Sequence, residues 1–193
     1  MSTSDALDLP ISFNGPYSFK VNGAAQCVFD APNCKGAGLY IFAIEQLRVH
    51  RILYVGITLN ASPRFRDHLD MYLCGNYRVY DTQSFALDVP QLVHEPSDRS
   101  ELVLANYQSY FANLDKMLDV IQIFFAPLQL DKALLRRLES GLIVHLRKQL
   151  RTDKILENMK VSTHAMEPKL HVTISLPTPY IIEGVAVPGL FEA

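Results

Sequence analysis

Two apolar runs, separated by a few polar residues, constrain this chain more than anything else in it. Tyr40-Ile41-Phe42-Ala43-Ile44 and Ile52-Leu53-Tyr54-Val55-Gly56 are built of aromatic and β-branched residues that suit a pleated, half-buried surface. Gln46, Arg48, His50 and Arg51 supply the polar connection, so the pair reads as an antiparallel hairpin. Ser62-Pro63-Arg64-Phe65-Arg66-Asp67-His68 follows directly, with Pro63 suited to a first helical turn behind a Ser62 cap. Each strand also carries a tyrosine–glycine triplet, Gly38-Leu39-Tyr40 in the first and Tyr54-Val55-Gly56 in the second.

The flanking segments give the remaining elements. Tyr17–Val21 and Gln26–Phe29 are β-prone and enclose Asn22-Gly23, two residues that tolerate positive φ, which predicts an N-terminal hairpin. Leu73 to Ser97 is punctuated by Gly75-Asn76, Pro90 and Pro96 and reads as loop. Leu102, Ala105, Tyr110, Leu114 and Leu118 recur about one turn apart, predicting a helix from about Asp98 to Leu118. Val120–Ala126 reads as a buried strand ended by Pro127, and Asp131 to about Leu150 as the strongest helix. His171 to Val187 mixes β-branched residues with prolines, which predicts edge strands or a strand and an extended arm.

Composition narrows the class. At 193 residues, 49% hydrophobic and 20% charged, the chain is expected to form one globular domain with appendages. No apolar run reaches the roughly 18 residues of a membrane span, and the start lacks the basic-then-apolar pattern of a secretory signal. Cys27, Cys34 and Cys74 are odd in number and lack zinc-site spacing, so reduced thiols and a cytoplasmic location are expected. The net charge of −2 hides a polarity. Residues 132–154 hold seven basic against two acidic side chains, whereas residues 79–119 hold seven acidic against two basic. Such a chain can present one basic face to a phosphate backbone while staying near neutral overall.

One helix contains an anomaly. At about 100° per residue, Leu135, Leu138, Leu142 and Leu146 share a stripe, and Glu139 falls within that apolar arc. A carboxylate aimed at a core must be paired, protonated or metal-bound. Arg136, Arg137, Arg147, Lys148 and Arg151 lie on the other side. In the first helix Arg64 and His68, four residues apart, share one face.

Taken together these motifs resemble the GIY-YIG nuclease family, whose name describes the two strand triplets. The likeness covers about Lys35 to Tyr72 and Val120 to Met159. It implies an α/β (α+β) fold: a small central antiparallel sheet flanked by helices, with an N-terminal hairpin (1–34), a nuclease core (35–159) interrupted by an insertion at about 73–118, and a C-terminal strand extension (160–193). In the family, a glutamate on the helix after the third strand holds one divalent metal, so the resemblance implies that Glu139 binds Mg²⁺ or Mn²⁺. An arginine ten residues past the second tyrosine contacts the scissile phosphate, and Tyr54 to Arg64 is ten residues. Arg66 competes on sequence alone but lies about 200° around the helix from Arg64. His68 fills the place of a frequent histidine, and Asn158 that of a bracing asparagine. Tyr40 is assigned as general base, assisted by His68, with Tyr54 orienting water or phosphate. Ile57-Thr58 stand where the family often has a lysine or serine, which removes one phosphate contact.

The function so implied is metal-dependent endonuclease cleavage of DNA, in a restriction or phage-defence role or as a repair or single-strand-specific nuclease. Arg66, Arg136, Arg147, Lys148 and Arg151 are the expected nucleic-acid contacts, and a homodimer cutting both strands is expected from stand-alone relatives. The alternative is a catalytically inert module on the same scaffold that binds nucleic acid or, through its acidic insertion, a protein.

Overall fold

The computed structural model describes residues 7–21, 25–46, 49–86, 90–96, 104–150, 170–177 and 189–192. Arg151 and Asn158 lie outside the described residues. The predicted hairpin is present and longer than its apolar runs: β4 (Gly38–Gln46) pairs antiparallel with β5 (Val49–Thr58), Tyr40 opposite Gly56. The predicted buried strand is β8 (Ile121–Pro127), which pairs antiparallel with the other edge of β4. β4 is therefore central, and its continuous apolar run is explained by burial on both faces.

Alternation along β4 sends its residues into two separate cores. Tyr40, Phe42 and Ile44 join one with Phe65 and Tyr72 of α1 (Ala61–Leu73) and Tyr110, Leu114 and Met117 of α2 (Tyr107–Val120). Leu39, Ile41 and Ala43 join the other with Leu138, Leu142 and Leu146 of α3 (Lys132–Leu150). The register of β4 on β5 shifts between Phe42 and Ala43, leaving Leu53 as the extra residue of a bulge. Leu53 and Tyr54 consequently both pack with the first core, while Ile52 packs with the second.

Several elements depart from the sequence prediction. Tyr17–Phe29 is not a hairpin. β2 (Asn14–Ser18) pairs antiparallel with β8, and β3 (Gln26–Cys27) adds to β2 in parallel, so the central sheet has five strands in the order β3-β2-β8-β4-β5. β2 takes β8 on one edge and β3, in parallel, on the other; Asn22 and Gly23, the expected turn, lie outside the described residues. β9 (Leu170–Ser175) is no edge strand. It lies between β1 (Leu7–Ser12), parallel to it, and β10 (Gly189–Glu192), antiparallel. The two terminal segments thus form one sheet, and Ile11, Leu170, Val172 and Ile174 cover the α3 face of the central sheet.

The expected loop at 73–97 contains a small hairpin, β6 (Val79–Tyr80) with β7 (Leu92–His94), and a 3₁₀ turn at Thr82–Ala86. The helix predicted from Asp98 is described as α2 from Tyr107. α1 begins at Ala61 with Asn60, not Ser62, in the capping position: the Asn60 N–H donates to Thr58 Oγ1 at 2.9 Å and the Ala61 N–H to the Gly36 carbonyl at 2.9 Å. At the start of α3 the cap is Asp131, whose Oδ1 accepts the Leu134 N–H at 2.8 Å. Among the described residues no helix is long and apolar enough to cross a membrane.

Candidate active site

The two motif glycines are there because a side chain would not fit. A Cβ on Gly56 would collide with the ring and hydroxyl of Tyr40, its opposite neighbour, and with the ring of Tyr54. A Cβ on Gly38 would collide with the Ala126 carbonyl and the Phe125 ring. Gly56 thereby leaves room for Tyr40 to lie flat against the neighbouring strand and reach α1 with its hydroxyl.

The Tyr40 hydroxyl lies 2.6 Å from His68 Nε2 and accepts from Arg64 Nε at 3.2 Å. Both partners come from α1, where their four-residue spacing puts them on the face turned to the sheet. The Tyr54 ring stacks on Tyr40 with centroids 6.0 Å apart. Tyr40 and His68 are buried, 0% and 1% exposed, whereas Tyr54, Arg64 and Glu139 are partly exposed. Those last three residues line a common groove of about 540 Å³, together with Ile57, Thr58, Asn60, Asp67, Lys132 and Arg136.

Electrostatics sort these groups into roles. Burial pushes the Tyr40 phenol above its ordinary range, Tyr54 adds to the shift, and Arg64 offsets part of it. Burial and the Arg64 charge push His68 down to about 3, so its imidazole is neutral at neutral pH. Burial raises the Glu139 carboxyl, while Arg64, Arg136 and the Ile57 N–H pull it back toward the carboxylate. Residues 54, 64 and 139, far apart in sequence, thus meet in the groove, and Tyr40 and His68 are linked to them through Arg64.

Of the two arginines weighed from sequence, Arg64 lines the groove, while Arg66 is exposed outside its lining. Arg136 lines it too. Arg147 and Lys148, expected as nucleic-acid contacts, do not, because they sit two to three turns beyond Glu139 on α3. Sequence reasoning missed Lys132, although Lys132, Arg136 and Glu139 follow the i, i+4, i+7 spacing of one helix face. It also missed Tyr77, whose hydroxyl lies 2.9 Å from His68 Nδ1. A tyrosine in a segment read as loop gave no signal for that contact.

Comparisons with protein-family models, curated proteins and solved structures find no match. The geometry alone therefore carries the functional reading. As a cation site the groove offers hard oxygen donors and one half-buried carboxylate. Among the described residues no group of three or more His, Cys, Asp or Glu encloses a metal. That donor set fits Mg²⁺ or Mn²⁺, since Mg²⁺ keeps several waters and completes its shell with one or two carboxylates and substrate phosphate. It does not fit a structural zinc.

Proposed function

We propose that this protein is a divalent-metal-dependent endonuclease of the GIY-YIG type that hydrolyses phosphodiester bonds in DNA. The observation that carries this reading is a groove lined by half-buried Glu139, Tyr54 and Arg64, with the buried Tyr40–His68 pair hydrogen-bonded to Arg64 behind it. Groove cations at Arg64, Arg136 and Lys132 suit a phosphate backbone. Arg64 spends Nε on the Tyr40 hydroxyl, and its Nη1 is held only loosely by Asp67 at 3.9 Å. Its terminal nitrogens are the donors offered to the non-bridging phosphate oxygens.

Glu139 would hold the cation, which supplies charge neutralisation at the phosphate and at the leaving oxygen. Tyr40 takes the proton of the attacking water. Its phenol is protonated in the resting site, so it must first release its own proton, and His68 is the acceptor in contact with it. Arg64 stabilises the phenolate that results. Tyr54, stacked on Tyr40 and facing the groove, orients the water or the phosphate.

The test is incubation of the protein with plasmid, phage genomic and single-stranded DNA in Mg²⁺ or Mn²⁺, with and without EDTA. Cleavage that EDTA abolishes is expected, and Glu139→Ala should lose at least about 1,000-fold in rate while keeping wild-type folding by circular dichroism. Cleavage that persists in chelator discards the metal mechanism. Failure to cut any of these substrates moves the scaffold to the binding-module reading.

A further inference from the structure

We infer that Tyr77, from the segment between α1 and β6, is a positioning residue for the tyrosine–histidine pair: it fixes the His68 ring and gives the Tyr40 proton an exit away from the cleavage groove. This rests on the nuclease reading and adds to it a residue outside the motifs that suggested that reading.

The contacts form one continuous chain. Arg64 Nε donates to Tyr40 Oη at 3.2 Å, Tyr40 Oη lies 2.6 Å from His68 Nε2, and His68 Nδ1 lies 2.9 Å from Tyr77 Oη. Both ring nitrogens of a 1%-exposed imidazole are thus bonded to tyrosine hydroxyls. A neutral imidazole has one donor and one acceptor nitrogen, so the tautomer is set by which hydroxyl donates. Beyond His68 and Tyr77 lies a second cavity of about 290 Å³, which both residues line with Tyr54, Tyr72, Asn76 and Arg78. That volume holds several waters at roughly 30 Å³ each.

Each proton in the chain moves one step in the same direction. The Tyr40 O–H bond breaks as His68 Nε2–H forms, the Nδ1–H bond breaks as a new Tyr77 O–H forms, and the former Tyr77 proton passes to solvent water in the second cavity. His68 stays neutral throughout. Tyr40 is left as a phenolate that accepts N–H bonds from His68 and Arg64. Without Tyr77 the imidazole would have to hold the proton as a cation, buried beside Arg64, a state that its pKa of about 3 disfavours. Among the described residues, Tyr54 on β5 and Arg64 and Asp67 on α1 act on the chain, and Tyr72, Arg78, Tyr80 and Glu95 line the second cavity beside it. Burial with Tyr54 and Asp67 raises the Tyr77 phenol itself, while Arg64 offsets part of that. Tyr77 also packs edge-on against Tyr72, with centroids 4.9 Å apart, so the test must spare the ring.

Tyr77→Phe removes the hydroxyl and keeps the ring. Two measurements compare it with wild type: single-turnover cleavage of plasmid DNA in Mg²⁺ from mildly acidic to alkaline pH, and the ¹⁵N shifts of the His68 imidazole in metal-free protein. The variant should cut on the order of 100-fold more slowly with unchanged DNA affinity. Its rate should go on rising at pH values where wild type has levelled off, and the single His68 tautomer should become an average of two. A wild-type rate and pH profile in Tyr77→Phe overturns the inference. So does slower cutting with an unshifted profile and an unchanged tautomer, which marks a packing role alone. If wild type itself cuts no DNA, the nuclease reading and the proton exit fail together, and the ¹⁵N shifts separately decide whether Tyr77 fixes the ring.

Discussion

Strand β4 serves two cores that differ in kind. Its odd-numbered residues Leu39, Ile41 and Ala43 enter a core of aliphatic side chains and two phenylalanines, closed by α3 and by the sheet that joins the two terminal segments. Its even-numbered residues Tyr40 and Phe42 enter an aromatic core in which the His68 imidazole packs edge-on against both rings, at 5.4 and 4.9 Å. The first side stabilises the fold through non-directional burial. The second also contains the Tyr40–His68–Tyr77 set, polar groups that burial alone would disfavour and that hydrogen-bond to one another. One strand, read at period two, thus places the Tyr40–His68 pair on one side, while Glu139 reaches the groove from α3, the helix that closes the other.

The separation breaks most visibly if the aliphatic side is damaged. Leu142 is fully buried on α3, and Leu142→Ala should cost about 2–5 kcal/mol of stability, read as a lowered urea midpoint. Cleavage per folded molecule should stay at the wild-type rate under conditions where the variant is folded. A parallel drop in that rate would show that the two sides are coupled. Gly56→Ala strikes the opposite side. Its Cβ collides with the Tyr40 ring and hydroxyl, so about 1–3 kcal/mol of destabilisation is expected from overpacking. Displacing the hydroxyl from His68 and Arg64 should also slow cleavage by roughly 100-fold, because catalysis is lost on ångström-scale misplacement. Wild-type activity in Gly56→Ala would remove Tyr40 from the mechanism.

The same two sides were unequally legible in the sequence. The β4–β5 hairpin, β8, α3 and the leucine stripe could be read because period and composition are local properties. Glu139 could be singled out because it violates that stripe. What could not be read depended on long-range partners. β2 pairs with β8 across about a hundred residues of sequence instead of forming a hairpin, and β1 and β9 join opposite ends of the chain. The bulge at Leu53 leaves no mark in Ile52-Leu53-Tyr54, although it decides which core each residue enters. Tyr77 was hidden for a related reason: its role exists only through His68, and nothing in Asn76-Tyr77-Arg78 announces an imidazole next to it. The basic residues of α3 form one set in sequence, yet Lys132 and Arg136, within two turns of Glu139, line the groove and Arg147 and Lys148, two to three turns beyond it, do not.

The smallest effect tests how far the polar side departs from the aliphatic one in stability. His68 has an ordinary pKa of 6.5 in the unfolded chain and is pushed down to about 3 when folded, first by burial and then by Arg64. Between those values the unfolded chain binds one more proton than the folded one, so stability falls as the pH falls. The contribution is fully present above 6.5. It should be lost at up to about 1.4 kcal/mol per pH unit on acidification. Other groups contribute to acid unfolding, so the informative quantity is a difference: His68→Gln keeps a hydrogen-bonding side chain but cannot titrate. Urea denaturation near neutral pH and two units below should show a shallower acid loss in His68→Gln than in wild type. The Leu142→Ala variant, altered on the aliphatic side, should keep the wild-type slope despite its lower stability. Equal slopes in His68→Gln and wild type would mean that the folded imidazole takes up its proton as readily as the unfolded one. A neutral, doubly bonded His68 at the centre of the site would then be the wrong description.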